Sequence, residues 1–148
     1  MNDKQIFENG LLKLEVIENS DSISVDWKGK STERNPGSFL TPILLKILKN
    51  SSDTNKRIVL DFRNLQYMNS STITPIIKIL ERAKKSNKHL TVLYDKSLKW
   101  QELNFSAIKI FQTFRFNFGK FKILSEQVAA KYNNSNRCEQ VSYFSGAC

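Results

Sequence analysis

The chain has 148 residues, of which 40% are hydrophobic, and this length suits a single domain with a buried core. A membrane-spanning helix is excluded because no apolar run approaches the roughly 18 residues that a span requires. The polar start, MNDKQIFENG, lacks the pattern of a signal peptide. We therefore expect a cytoplasmic protein.

The formal net charge of +9 leaves several anionic partners open, namely nucleic acid, a membrane surface or an acidic protein. The lysines are scattered, and the sequence has neither an arginine-rich tract nor a basic strand studded with aromatic residues. Nucleic-acid binding is therefore the less favoured alternative, and no membrane partner is expected. A solvated basic surface is favoured over a basic surface that is used for binding.

Residues for catalysis or metal binding are sparse. The single histidine, His89, and the two cysteines, Cys138 and Cys148, lack the spacing of a metal site. Asp61 lies in a predicted strand without an acid–base partner, and no glycine-rich phosphate loop is present. We therefore expect no enzymatic activity, no cofactor and no metal.

The first half of the chain predicts two strands and a helix. Apolar and polar residues alternate over residues 12–16 and again over residues 23–27, which predicts two antiparallel strands with one buried face each. After a loop, Thr41 and Pro42 predict a helix start, with threonine as the N-cap and proline at the first helical position. The polar residues 50–55 end this helix.

The second half predicts alternating strands and helices. The apolar run of residues 58–62 predicts a strand buried on both faces, and a helix then extends to about Lys85. Residues 89–94 and 118–124 predict two further strands, with a third helix between them. The predicted apolar face of that helix consists of Leu98, Trp100, Leu103, Ala107, Ile108, Phe111 and Phe114.

The predicted order β-β-α-β-α-β-α-β is typical of an α/β domain with a mainly parallel or mixed central sheet and helices packed on it. We expect the domain to span residues 10–125. Residues 126–148 are expected to form a C-terminal tail, with a short helix followed by a weakly ordered end.

The polar cluster Asn69-Ser70-Ser71-Thr72 lies between the buried strand and the second helix. A serine at this point caps backbone N–H groups, which stabilises a helix by about 1 kcal/mol. The same position also suits a phosphate, because the helix dipole and the free amides stabilise negative charge. The residues alone leave both roles open.

The run IVLDFRNLQYMNSST resembles the signature of STAS domains, specifically the bacterial anti-sigma factor antagonists. In that family a hydrophobic strand leads through a turn to an Asp-Ser-Ser/Thr-Gly motif that opens a helix. On this chain Asn69 takes the Asp position, Ser70 the phosphorylated serine, Ser71 the next Ser/Thr and Thr72 the Gly. The variant without the glycine is also similar to the SiaC-type regulatory phosphoproteins, which share the fold.

The resemblance implies a STAS-like fold and a non-enzymatic partner-switching regulator. Such a protein binds a cognate serine kinase, often the anti-sigma factor itself, and is released when its serine is phosphorylated. A PP2C-type phosphatase reverses the modification. Ser70 is the implied phosphorylation site, and Ser71 is the second choice. The alternative is a degenerate STAS domain that acts as a constitutive protein-binding module.

Pro75 leaves two starts open for the second helix. If Ser70 caps the helix, Pro75 falls five residues inside, where it lacks an N–H and its ring crowds the preceding turn. If Thr72 or Thr74 caps it, Pro75 is accommodated, and Ser70 lies in the preceding loop. The second arrangement costs less locally.

The expected partner-binding surface combines this junction with the exposed side of the second helix. Its residues are Asn69, Ser70, Ser71, Thr72, Thr74, Lys78, Glu81, Arg82 and Lys85.

Overall fold

The computed structural model describes residues 3–115 and 121–125, which form seven strands and three helices. The predicted tail, residues 126–148, lies outside the described residues, together with both cysteines. None of the described helices is long and apolar enough to cross a membrane. In chain order the elements are β1 (Asp3–Asn9), β2 (Leu12–Glu18), β3 (Ser22–Ser31), α1 (Gly37–Thr54), β4 (Arg57–Asp61), β5 (Leu65–Met68), α2 (Ser70–Lys85), β6 (Leu90–Tyr94), α3 (Lys99–Arg115) and β7 (Phe121–Ser125).

All seven strands belong to one mixed sheet with the order β1-β2-β3-β4-β6-β7. The first two pairs are antiparallel, and the pairs from β3 onward are parallel. β5 continues beyond the end of β4 and pairs with the last residues of β3, where the register shifts between Gly29 and Lys30. The predicted α/β fold with a mainly parallel, mixed sheet is confirmed.

One face of the sheet forms the core with the three helices. Ring contacts extend from β3 to α3: Trp27 lies 4.6 Å from Phe62, which lies 4.8 Å from Phe105, and Phe105 lies 5.4 Å from Tyr94, measured between ring centroids. All four rings are buried. Each parallel connection advances in the same direction across the sheet, so right-handed crossovers bring all three helices to this one face.

Two strands were missed by the sequence analysis. β1 has the sequence DKQIFEN, in which the adjacent Ile6 and Phe7 give no alternating pattern. It forms because a two-residue turn, Gly10 and Leu11, folds it back on β2. β5 has only four residues, and its pairing with β3 defines it as a separate strand.

The predicted start of α1 is wrong. The helix begins at Gly37, with Pro36 as its N-cap, so Thr41 lies inside the helix and Pro42 is its sixth residue. The backbone N–H groups of Phe39 and Leu40 already donate to the carbonyl of Pro36. The helix thus begins before Pro42, and because proline has no N–H, the carbonyl of Ser38 receives no backbone bond from it.

The predicted apolar face of α3 is also wrong in part. Leu103 is 73% exposed, whereas the buried positions include Gln101, Phe105 and Ile108. The amide nitrogen of Gln101 donates to the carbonyls of Phe62 at 2.7 Å and Leu65 at 3.0 Å. A buried glutamine that joins the β4–β5 turn to α3 therefore replaces an apolar residue on that face.

Candidate functional site

The junction of β5 and α2 is capped by Asn69. Its side-chain oxygen accepts hydrogen bonds from the backbone N–H of Thr72 at 3.2 Å and from the Thr72 hydroxyl at 2.8 Å. Its φ and ψ, −79° and 168°, are those of an extended residue that precedes a helix. Asn69, in the position of the family's aspartate, is thus the N-cap of α2.

Ser70 and Ser71 are the first two residues of α2, and both are exposed. Neither alternative for the start of the helix is right, because the cap is neither a serine nor a threonine. Pro75 is the sixth helical residue and is buried. Pro42 is likewise the sixth residue of α1. The segments Thr41-Pro42-Ile43 and Thr74-Pro75-Ile76 therefore occupy equivalent positions in the two helices.

The cap also holds the loop that follows β3. The backbone N–H of Asn69 donates to the carbonyl of Ser31 at 3.0 Å, and its side-chain nitrogen donates to the carbonyl of Glu33 at 2.9 Å. Within the core, the hydroxyls of Ser31 and Thr72 lie 2.7 Å apart. The first turn of α2 and the β3–α1 loop are therefore positioned as one unit.

Thr72 requires a correction as a partner-contact residue. Its exposed fraction is 0%, because its hydroxyl contacts Asn69 and Ser31 beneath the surface. Thr72 can affect a partner only by positioning the cap and the loop. The other members of the expected surface are exposed or half-buried.

The side of α2 that faces α1 carries the rest of the expected surface. A groove of about 470 Å³ between the two helices is lined by all four of the charged residues proposed from the sequence, together with apolar residues of both helices. Its lining is Thr41, Leu44, Leu45, Pro75, Lys78, Ile79, Glu81, Arg82, Lys85 and Ser86.

A smaller hollow of about 220 Å³ shares Thr41, Pro75 and Lys78 with this groove and reaches Ser71. Arg34 and the loop up to Gly37 form one wall, while Ser71, Thr74 and Lys78 form the other. Sequence reasoning missed Arg34, since no local pattern links this loop to a helix start thirty-odd residues later in the chain.

The charges around this junction favour an added phosphate. The first turn of α2 contains no acidic residue, so nothing in it competes for the partial positive charge of the helix N-terminus. Arg34 and Lys78 supply positive charge on both walls of the hollow beside Ser71. Negative charge on either serine would lie at the helix N-terminus, and on Ser71 it would also face Arg34 and Lys78.

Other titratable residues considered from the sequence have structural roles. Asp61 accepts hydrogen bonds from the Arg63 guanidinium at 2.9 and 2.8 Å, in bidentate geometry. His89 is exposed at the surface just before β6. Among the described residues, no group of three or more His, Cys, Asp or Glu side chains could hold a metal ion.

Comparison with solved structures finds two SiaC structures that support the fold. SiaC of Pseudomonas aeruginosa superposes with a TM-score of 0.56 at 14% identity, over 84% of this chain and 99% of that one. The apo-SiaC structure from the same organism gives 0.50 at 14% identity, over 82% and 98%. The unphosphorylated anti-sigma factor antagonist SpoIIAA gives 0.45 at 13% identity, over 90% and 99%.

Comparison with curated protein sequences gives no match. The family model of the SiaC family regulatory phosphoproteins, however, matches residues 13–125, which include every element from β3 to β7 and most of β2. The resemblance inferred from the Asn69-Ser70-Ser71 junction is confirmed by this match. The chain belongs to the SiaC family of regulatory phosphoproteins.

Proposed function

We propose that the chain is a non-enzymatic partner switch whose binding to a serine kinase or anti-sigma factor is controlled by phosphorylation of Ser70. A PP2C-type phosphatase would restore the binding form. The observation that carries the proposal is the exposed Ser70 at the first position of α2, directly after a cap made by another residue.

This separation of roles leaves the Ser70 hydroxyl free of the cap. The oxygen of a capping side chain accepts hydrogen bonds from backbone N–H groups of the first turn. Here Asn69 supplies the cap through its own side chain. The Ser70 hydroxyl can therefore gain and lose a phosphate while α2 stays intact.

The phosphate would act on a partner by charge and bulk. It adds nearly two negative charges at a surface whose neighbouring groove is basic and apolar. We expect a partner that seats on α2, contacting Thr74, Lys78 and Arg82, to present acidic groups to those lysine and arginine side chains. A phosphate at Ser70 would repel the acidic groups and release the partner.

The test is a pull-down from the native lysate with the wild-type chain, Ser70→Ala and Ser70→Asp, and with Ser71→Ala and Ser71→Asp as matched controls. We expect Ser70→Ala to retain a kinase-like protein and Ser70→Asp to lose it, while both Ser71 variants behave as wild type. Identical captures by all five proteins would disprove the switch and leave a constitutive binding module.

Phosphate mapping separates the two serines. The wild-type chain is incubated with lysate and ATP and then analysed by mass spectrometry. Phosphate on Ser70 that is removed by a PP2C-type phosphatase is expected. Phosphate on Ser71 alone would make Ser71, which lines the hollow with Arg34, the switch residue in place of Ser70. Absence of phosphate from both serines under all growth conditions would reject the proposal.

A further inference from the structure

β1 forms one edge of the sheet, with β2 and β3 between it and β5, the strand that leads into α2. Among the described residues, only β2 pairs with β1. Its outer side therefore presents backbone N–H and C=O groups that no strand of the described chain satisfies. Edges of this kind pair with another strand unless something blocks them. Ile6, at the centre of β1, is 51% exposed.

The phase of the β1–β2 hairpin decides which backbone groups face outward. The turn has two residues, with φ of +60° at Gly10, and it closes on the pair Asn9 and Leu12. In a two-residue hairpin the closing pair is hydrogen-bonded, and bonding then alternates along the strands. The odd-numbered residues of β1 therefore bond to β2. The outward groups belong to Lys4, Ile6 and Glu8.

These three residues form a set that is complementary to itself. Two β1 strands can pair antiparallel with Ile6 at the centre. The outward backbone groups of Lys4, Ile6 and Glu8 in one copy then bond to those of Glu8, Ile6 and Lys4, in that order, in the second copy. Ile6 then faces Ile6 of the partner subunit, and Lys4 faces Glu8 of the partner subunit. By the two-fold symmetry, Glu8 faces Lys4 of the partner subunit.

We propose that β1 is a self-association edge, through which two copies of the chain join their sheets antiparallel about Ile6. The pairing adds two cross-strand pairs of opposite charge and covers the exposed Ile6 side chains. Opposite charges directly across an antiparallel pair are stabilising, and like charges are destabilising. Lysine on an edge strand usually opposes pairing, but here Glu8 compensates for it.

The charges needed for this pairing are available. Glu8 makes no ion pair within the described part of the chain. Lys4 lies 3.4 Å from Glu15, which is also contacted by Lys28 at 3.0 Å and Lys13 at 3.3 Å. Glu15 would thus keep two lysine partners if Lys4 turned toward a second subunit.

Sedimentation equilibrium of the full chain over a concentration series up to about 1 mM tests the proposal. The wild type is expected to dimerise. Lys4→Glu and Glu8→Lys are each expected to weaken the dimer at least tenfold, since each sets like charges opposite one another. An equimolar mixture of the two variants is expected to recover at least tenfold tighter association than either alone, because only the mixed dimer pairs opposite charges.

Two further variants separate this edge from other surfaces. Ile6→Pro removes an N–H that points outward, so the β1–β2 ladder is kept while dimerisation is lost. Lys49→Glu makes the same charge change as Lys4→Glu on α1 and should leave the dimer unchanged. A monomeric wild type, a mixture no tighter than its components, or dimers of Ile6→Pro as tight as wild type would each overturn the proposal.

Discussion

The hydroxyls of Ser31 and Thr72 lie 2.7 Å apart in the core and join the end of β3 to the first turn of α2. Because Thr72 donates its own proton to Asn69 at 2.8 Å, its lone pairs accept from Ser31. Two buried hydroxyls and the half-buried Asn69 side chain are thus linked by consecutive hydrogen bonds at the start of α2. These hydrogen bonds therefore determine how rigidly Ser70 is held at the start of α2.

Replacing Thr72 with valine removes the hydroxyl with little change in shape. We expect it to destabilise the protein by about 1–3 kcal/mol, because the buried Ser31 hydroxyl loses its acceptor. Urea unfolding followed by circular dichroism measures the change. Ser31→Ala should cost less, and the double variant should cost less than the sum of the two. Strict additivity would mean that the two hydroxyls do not interact.

The N-cap can be separated from the loop contact by two substitutions of Asn69. Asn69→Ala removes both, and we expect a loss of about 1 kcal/mol or more in the free energy of unfolding. Asn69→Asp keeps the oxygen that caps Thr72 but removes the amide that donates to the carbonyl of Glu33. Hydrogen exchange should then increase in the β3–α1 loop while α2 keeps its protection. Equal loss of protection in both elements would contradict separate roles.

Charge reversal in the groove tests the proposed partner surface. Lys78→Glu and Arg82→Glu place negative charge on the exposed side of α2, and we expect at least about tenfold weaker capture of an acidic partner at low salt. The difference should narrow as salt is raised, because exposed charges are screened. Lys99→Glu, an equal change on α3, serves as the control. If all three variants captured the partner equally, the partner would bind elsewhere.

The dependence of stability on pH should reveal the contribution of the ion pairs that Glu15 makes with Lys4, Lys13 and Lys28. The Lys28 ammonium, hydrogen-bonded to Glu15, lowers the pKa of that carboxyl from 4.5 to about 2, helped by Lys13 and Lys4 and opposed by burial. A carboxyl whose pKa is lower in the folded state binds its proton more readily when unfolded. Its contribution to stability is therefore complete above pH 4.5 and is lost as the pH falls toward about 2.

Urea midpoints measured between about pH 5 and about pH 3 check this effect. The Glu15→Gln variant should be less stable than wild type at the upper pH, and its stability should fall less steeply as the pH is lowered. Asp26→Asn provides a control of opposite sign, since burial raises the pKa of Asp26, and removing it should make the loss on acidification steeper. Identical slopes for wild type and Glu15→Gln would show that these ion pairs do not contribute.

The predictions that succeeded depend on local periodicity. The alternation over residues 23–27 is buried on one face of the sheet as predicted, because burial on a strand follows the alternation in its own sequence. The prediction that the run of residues 58–62 is buried on both faces is wrong, because Ile58 and Leu60 are buried whereas Val59 and Asp61 are only half-buried on the face that no described helix covers. Ile76, Leu80 and Ala83, three of the five apolar residues whose helical spacing predicts α2, are buried on that helix. Apart from β1 and β5, the order of strands and helices followed from these signals, and with it the fold class.

The predictions that failed depend on contacts between distant segments. β1 is a strand because β2 pairs with it, Gln101 is buried because the carbonyls of Phe62 and Leu65 accept its protons, and α2 starts at Ser70 because Asn69 is held by the β3–α1 loop. Local preference favoured a later start, with Pro75 near the N-terminus. The sequence alone predicted most of the elements, although not β1 or β5, and it placed the serines between a strand and a helix, since burial periodicity is a local property. That Asn69 is the cap and that Ser70 is exposed on the helix follows from long-range contacts, because the hydrogen bonds responsible join residues more than thirty positions apart.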